Sequence, residues 1–367
     1  MRIVVIGAGV LGASVAFHAA RAGAEVVVID HAHAGRATAA GAGIVCPWAS
    51  GQDDPDFYRI LSAGGAYYPD LIGALDGEDF GYARVGALCV AADAAELDAM
   101  ERVARGRQTP AAGHIARLGP AEARALFPPL HPAWGAVHIP GGARVDGRLL
   151  TDALLRAARR DGASLREGLA ELTMQAGRVT GVRLLGETLT ADAVVVAAGA
   201  WAPALLEPLG LRFAVRPQRG QISHLRLPGV STADWPVVLP PGSHYLLAFA
   251  DSRVVVGATR EPGAGFDHRV TAAGQAEVLR EALAVAPGLA DATLIETRIG
   301  FRPVGPDVRP LLGAAPGVPG LLVGNGLGPS GLAIGPLAGR LLAELALGQA
   351  SAFDLAPYDP AHALTRA

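Results

Sequence analysis

The sequence predicts an α/β fold joined to an antiparallel sheet, and three stretches predict it. Residues 2–6 and 25–29 are short apolar runs around Gly7-Ala8-Gly9-Val10-Leu11-Gly12, and the second run ends at Asp30. Residues 193–196 are an unbroken apolar run, Ala-Val-Val-Val, of the kind buried on both faces in a parallel sheet. Residues 213–261 hold extended segments separated by turn signals, the pattern of antiparallel strands. Together they place a Rossmann-like nucleotide-binding domain in 1–80, 140–210 and 303–367. A substrate domain takes 81–139 and 211–302, so neither is continuous in sequence.

The first unit reads as strand, glycine turn, helix to about residue 21, then strand. Gly7 permits the tight turn, Gly9 lets backbone approach a pyrophosphate, and Gly12 lets the helix pack close to the strand. The helix directs its N-terminal N–H groups at the phosphates. Asp30 follows Gly12 by eighteen residues, placed to accept hydrogen bonds from ribose hydroxyls. A carboxylate there disfavours a 2′-phosphate and argues against NADP.

Composition narrows the class. A chain of 367 residues is long enough for two buried cores. No apolar stretch reaches the ~18 residues of a membrane span, so no integral span is expected. The first residues superficially resemble a signal peptide, but the glycine pattern and Asp30 explain them better; the expected location is cytoplasmic. Cys46 and Cys89 form no CxxC and no metal cluster, so neither a disulfide framework nor a metal site is expected. A formal net charge of −3 leaves no basic footprint for nucleic acid. Every basic side chain apart from histidine is arginine, so no lysine can act as Schiff-base nucleophile, general base or oxygen-activating cation.

Along the chain, 31–45 is small and glycine-rich, with Arg36 and Thr38 as its main polar groups, and suits close passage of backbone past a flat ligand. Helices are expected over 57–75, 94–105, 120–127, 148–160 and 271–284, and a final one over 332–347. Strands are expected over 84–91 and 164–169, with a hairpin over 178–190 and another turning at Ala250-Asp251-Ser252. Residues 298–313 contain Gly300-Phe301-Arg302-Pro303, and 321–332 reads strand, glycine turn, helix start.

The run Gly7-x-Gly9-x-x-Gly12, Asp30, Arg36-x-Thr38-x-x-Gly41-x-Gly43-Ile44 resembles the D-amino-acid oxidase superfamily, in its glycine oxidase, sarcosine oxidase and D-amino-acid dehydrogenase branch. The resemblance implies FAD as cofactor. It puts Gly7, Gly9, Val10, Leu11, Gly12, Asp30 and His31 around the adenosine diphosphate, and Arg36 and Thr38 near the pyrophosphate and ribityl chain. Ala42, Gly43 and Ile44 would lie beside the isoalloxazine ring. Ala170 would serve the adenine, and Ala198, Gly199 and Trp201 close a strand by the adenosine-diphosphate end. Gly326, Gly328, Pro329, Ser330, Gly331 and Leu332 would face the flavin edge where negative charge gathers on reduction; this chain has Asn325 where the family usually carries His.

Arg302 matches the family arginine that binds the substrate carboxylate, and Tyr245 matches its tyrosine partner. A planar guanidinium meets a carboxylate with two parallel hydrogen bonds and keeps its charge. His244, beside Tyr245, could steer substrate or tune its protonation. The implied reaction is oxidative deamination of a small amino acid: hydride transfer to flavin N5, then hydrolysis of the imino acid to a keto acid. Oxygen or another acceptor completes the cycle. A 2-hydroxy acid dehydrogenase, a tRNA-modifying oxidase domain and a non-catalytic flavoprotein stay open as alternatives, and oligomeric state is unread.

Relatives that attach flavin covalently use Cys near the matching C-terminal stretch or His before the Ala-Gly loop. Residues 298–313 hold no Cys and 36–41 no His, so FAD is expected to be non-covalent. Acid precipitation should therefore release all yellow colour into the supernatant; colour pelleting with the protein would contradict this.

Overall fold

The computed structural model describes residues 1–366. The strand Arg2–Ile6 pairs in parallel with Glu25–Asp30 on one side and Ala193–Val196 on the other. Ser164–Glu167 and Leu321–Asn325 extend the parallel sheet, and Leu311–Ala314 closes one edge antiparallel, making six strands. Successive side chains on a strand point to opposite faces, and here both faces are covered. Ile3 and Val5 pack with residues of the helices Val10–Arg21, Gly147–Arg160 and Gly331–Ala346. Val4 and Ile6 pack against a three-stranded antiparallel sheet of Ala170–Gln175, Arg178–Leu184 and Glu187–Thr190. Burial from both sides is why these strands read as unbroken apolar runs.

Gly7 turns the chain out of this sheet at φ +105°, and a Cβ there would sit 2.5 Å from the Ala197 carbonyl oxygen. One turn into the helix, a Cβ on Gly12 would meet the Gly7 oxygen at 1.9 Å. Only glycine at both positions lets helix and strands approach this closely.

A second sheet has eight strands. Its order is Thr293–Val304, Arg216–Arg226, Arg253–Gly257, Tyr245–Phe249, Val237–Leu239, Ala87–Ala91, Gly135–Ile139 and Ala116–Leu118. All pairings are antiparallel except Val237–Leu239 with Ala87–Ala91. That exception departs from the sequence expectation. The two strands come from stretches far apart in the chain, so no hairpin dictates opposite senses. One face carries Leu246, Ala248, Val254 and Val256 beneath the helix Ala272–Val285. The other carries Cys89, Leu247 and Val255, with Ala42, Ile44 and Tyr245 packed against them. Period-2 alternation thus turns Tyr245 toward the glycine-rich stretch that follows the first unit.

Helix limits fall within a few residues of expectation. The helix Pro55–Ala74 begins within Asp53-Asp54-Pro55-Asp56, the turn and helix start expected from the sequence: Asp54 caps it, accepting from the Phe57 N–H at 2.8 Å, with Pro55 in the first turn. The strand expected over 84–91 is confined to Ala87–Ala91. The end of the chain, unread in sequence, places Leu364–Arg366 beside Leu211–Phe213.

The helix Pro55–Ala74 packs on Gly331–Ala346, where Tyr68 donates to the Leu332 carbonyl at 2.6 Å. A Cβ on Gly64 would lie 2.3 Å from the Ala333 carbonyl oxygen, whereas one on Gly73 would meet nothing within 4 Å. Gly64→Ala should therefore destabilise by about 1–3 kcal/mol through overpacking, and Gly73→Ala should stabilise by about 0.5–1 kcal/mol. Urea unfolding midpoints check both; shifts of the same sign would contradict this packing.

Candidate active site

A cavity of about 730 Å³ lies between the two sheets and takes its wall from both. From the six-stranded side come the first glycine turn, Asp30 and the start of the helix Val10–Arg21. That helix has Gly9 as N-cap and no side-chain cap. Its early N–H groups have no intrahelical acceptor, though Thr38 Oγ1 takes one, from Val10, at 3.1 Å. The helix Gly331–Ala346 also opens at the cavity through Gly331 and Leu332, again without a side-chain cap. Two positive helix ends facing one cavity suit an anionic ligand. Asp30 accepts from the backbone of Ala8 at 2.5 Å and Ala32 at 2.6 Å, with Arg36 Nη1 at 3.4 Å. These bonds fix its carboxylate, and Oδ2, which accepts from Ala8 alone, retains a lone pair for a further donor.

The eight-stranded side supplies Arg302 and Tyr245. Arg302 stands on Thr293–Val304, opposite Gln218 on the neighbouring strand. Its Nη1 donates to the Thr259 carbonyl at 3.0 Å and approaches Gln218 Oε1 at 3.4 Å. Among the described residues no carboxylate lies within 4 Å of it. Burial pushes the guanidinium below its ordinary range. Burial likewise pushes the Tyr245 phenol up to about 12, against the nearby Arg302 charge, so the hydroxyl stays neutral. Both side chains lie over glycine. A Cβ on Gly220 would be 2.7 Å from Arg302 Nη2, and one on Gly257 would be 2.7 Å from Tyr245 Oη.

Most of the residues singled out in sequence meet in this one cavity. Gly7, Gly9, Val10, Leu11, Asp30, His31, Arg36, Thr38, Ala42, Gly43, Ile44, Ala170, Ala198, Gly199, Trp201, Gly328, Pro329, Gly331 and Leu332 join Arg302 and Tyr245 on the wall. Four do not. Gly12 is taken up in the helix–strand contact with Gly7. Gly326 turns the chain at φ +70° against Leu311, and Ser330 caps the last helix with no side-chain bond to it. His244 precedes the strand Tyr245–Phe249 and lies off the wall; its Nε2 sits 3.4 Å from Glu277 Oε1. The sequence reading missed Gly220, Gly257, Gln218 and Arg260. A glycine inside a strand pattern signals close approach and could have flagged the first two. Asn325 is buried, donating to the Gly199 carbonyl at 2.9 Å and accepting from the Gly326 N–H at 2.8 Å, so it braces the second glycine turn. Neither cysteine reaches the cavity. Among the described residues no cluster of His, Cys, Asp and Glu could hold a metal, and no helix is long and apolar enough to cross a membrane.

Comparison with known proteins agrees with this geometry. The family described as DAO, FAD dependent oxidoreductase, matches residues 2–345. The crystal structure of iminodiacetate oxidase from Chelativorans sp. BNC1 is 55% identical with a TM-score of 0.96, over 98% of this chain and 99% of that one. An uncharacterised oxidoreductase of Bacillus subtilis (strain 168), YurR, is 51% identical over 367 residues, 98% of this chain and 99% of the relative. Glycine oxidase from Geobacillus kaustophilus is 30% identical with a TM-score of 0.87, over 98% of both chains. The residues present fit FAD. Two uncapped helix ends face the cavity, a fixed carboxylate stands at the end of the second strand, and small residues line the wall between the sheets.

Because the Tyr245 phenol titrates near 12, a bound carboxylate should not feel phenolate repulsion at pH 10. The Kd of a small unreactive carboxylate, read from flavin absorbance, should stay flat from pH 8 to about 10.5, short of that titration. A weakening between pH 8 and about 10.5 that disappears in Tyr245→Phe would contradict this environment.

Proposed function

The chain belongs to the family of FAD-dependent oxidoreductases, and on that premise we propose that it oxidises the C–N bond of a small amino acid held by Arg302 and Tyr245. The observation that carries this reading is the Arg302 guanidinium. It lies on the cavity wall, is bonded only to neutral acceptors, and has no carboxylate of the described chain beside it. A partly desolvated cation of this kind is best satisfied by a ligand carboxylate, which can take two parallel N–H bonds. The neutral Tyr245 hydroxyl adds a donor to the same carboxylate.

Bound FAD supplies the two-electron oxidation of the substrate C–N bond. The chain's own part is to bind and orient. Gly7, Gly9, Val10, Asp30, Arg36 and Thr38 would hold the dinucleotide. Ala42, Gly43 and Ile44 would border its ring, and the N-terminus of Gly331–Ala346 would stabilise negative charge on the ring edge. The cavity's two carboxylates are Asp30, tied to backbone, and Glu171, paired with Arg183 at 3.1 Å. Neither stands in the sheet that carries Arg302, so the proposed chemistry uses no carboxylate base at the substrate carbon. The amine reacts in its neutral form, and water hydrolyses the resulting imine to a keto acid and ammonia or an amine.

The test is anaerobic flavin reduction, followed by assay for ammonia or amine, across glycine, N-methylglycine, D- and L-alanine, proline and iminodiacetate, with 2-hydroxyglutarate as the hydroxy-acid control. Reduction by at least one amine and not by the hydroxy acid supports the reading; the converse overturns it. With the best substrate, Arg302→Ala should cut kcat/KM by roughly 30- to 1000-fold, the loss of about 2–4 kcal/mol for truncating one partner of a buried charge pair. Unchanged kcat/KM would remove Arg302 from the site.

A further inference from the structure

We propose that Phe266 is a positioning residue for the cofactor: the segment 262–270 is a clasp that holds one wall of the cavity from outside, and it sets how fast FAD leaves. The inference rests on the cavity holding FAD and is independent of the substrate.

Phe266 lies off the cavity wall, half-exposed, between the strand Arg253–Gly257 and the helix Ala272–Val285. Its ring stacks on Trp201, with centroids 5.0 Å apart and planes at 20°. Trp201 stacks in turn on His33, at 4.6 Å and 3°. The Phe301 ring stands nearly perpendicular to both Trp201 and Phe266, at 6.0 and 5.3 Å. These four rings form one block across the two sheets. His33 and Trp201 follow strands of the six-stranded sheet and line the cavity, Phe301 belongs to the eight-stranded sheet, and Phe266 comes from the segment beyond it.

Arg219 puts the segment in place. Its Nη1 donates to the Asp267 carbonyl at 3.1 Å and meets the Asp267 carboxylate at 2.9 Å, one residue from Phe266. Just before the segment, Glu261 exchanges backbone hydrogen bonds with Arg219 at 3.2 and 3.0 Å and also pairs with its guanidinium. Arg219 is buried within the strand Arg216–Arg226, which is paired on both sides. The clasp is therefore tied to a firm support on either side of the turn that carries Phe266.

What the block holds is the stretch after Asp30. Residues 31–35 run without helix or strand, and His31, His33 and Arg36 are on the cavity wall. Apart from the bonds of Asp30 to Ala32 and Arg36, this stretch is fixed by the Phe301 N–H, which donates to the Gly35 carbonyl at 2.9 Å, and by the His33 stack. Gly35 is pressed against the same block: a Cβ there would lie 2.3 Å from Phe301 Cε2 and 3.0 Å from His268 Cδ2. A segment with few contacts of its own opens at low free energy, so contacts made from outside decide how often this wall parts. Aromatic pairs resist that parting beyond the area they bury. Phe266 thus acts on the cofactor through Trp201 and His33.

The experiment compares the FAD-loaded full chain with its F266A, F266Y and V270A variants; Val270, exposed in the same segment, is the control. FAD release after dilution is followed by flavin fluorescence, with a phosphodiesterase present to destroy free FAD. The Tm of each apoprotein is read in parallel. F266A removes two aromatic contacts and should raise koff by about tenfold or more. F266Y keeps the ring and should stay within about twofold of the wild type, and V270A should release FAD at the wild-type rate. The F266A apoprotein should keep a Tm close to that of the wild type, since the side chain is half-exposed. An unchanged koff in F266A would overturn the proposal. So would a rise that V270A or F266Y shares in full, or one that comes with a large loss of apoprotein Tm, which would make Phe266 a support of the fold at large. A wild type that binds no FAD overturns the clasp together with the cofactor assignment. Substrate oxidation enters none of these readings, so failure of the proposed function shows separately, in the anaerobic reduction.

Discussion

A positive charge without a counter-ion is the constraint around which the cavity is arranged. Arg302 is pulled partly out of water and offered a carbonyl, an amide oxygen and a phenol, but no acid. Such a group is costly to desolvate, and the fold bears that cost in specific ways. Gly220 across the strand pair leaves room for the guanidinium, and Gly257 does the same for the Tyr245 ring. The Thr259 carbonyl, free to accept, fixes one end of the fork. A protein that needed only a stable sheet could fill the same volume with an apolar side chain. Keeping the charge makes sense where a ligand completes it.

The two sheets divide the work. The parallel sheet delivers backbone: two helix N-termini and a glycine turn set by the contact between Gly7 and Gly12. These groups would recognise a dinucleotide without relying on long side chains, which suits a cofactor that stays in place. The antiparallel sheet delivers side chains. Its alternation turns Tyr245 inward and its edge strand carries Arg302. The proposed substrate therefore meets residues that can vary with little effect on the cofactor site. The segment after Thr259 is pinned by Glu261 and Asp267 on Arg219 and reaches the same cavity through Arg260.

Local signals in the sequence carried much of this. The βαβ unit was legible because glycine spacing, flanking apolar runs and a terminal acid agree with one another. The parallel strands were legible because burial on both faces leaves unbroken apolar runs. Arg302 and Tyr245 were reached through resemblance rather than spacing, since one arginine among thirty-one basic residues carries no mark of its own. The departures have a common cause. Gly12, Gly326 and Ser330 belong to motifs that line the cavity at some positions and hold themselves together at others, and the motifs do not say which. His244 lies off the cavity wall because it sits just before the strand that turns Tyr245 inward, and adjacency in sequence does not carry it to the same place. The parallel pair in the second sheet and the pairing of the chain's end depend on contacts between distant stretches, which no local pattern encodes. Arg260 was invisible for the same reason: its place on the cavity wall exists only in three dimensions.

The most direct test of the central claim is a crystal structure of the FAD-loaded protein with a small unreactive carboxylate bound. The account predicts both carboxylate oxygens within hydrogen-bonding distance of the Arg302 guanidinium, about 2.7–2.9 Å, with the Tyr245 hydroxyl on one of them. A carboxylate bound elsewhere, with Arg302 still turned to Thr259 and Gln218 alone, would contradict it.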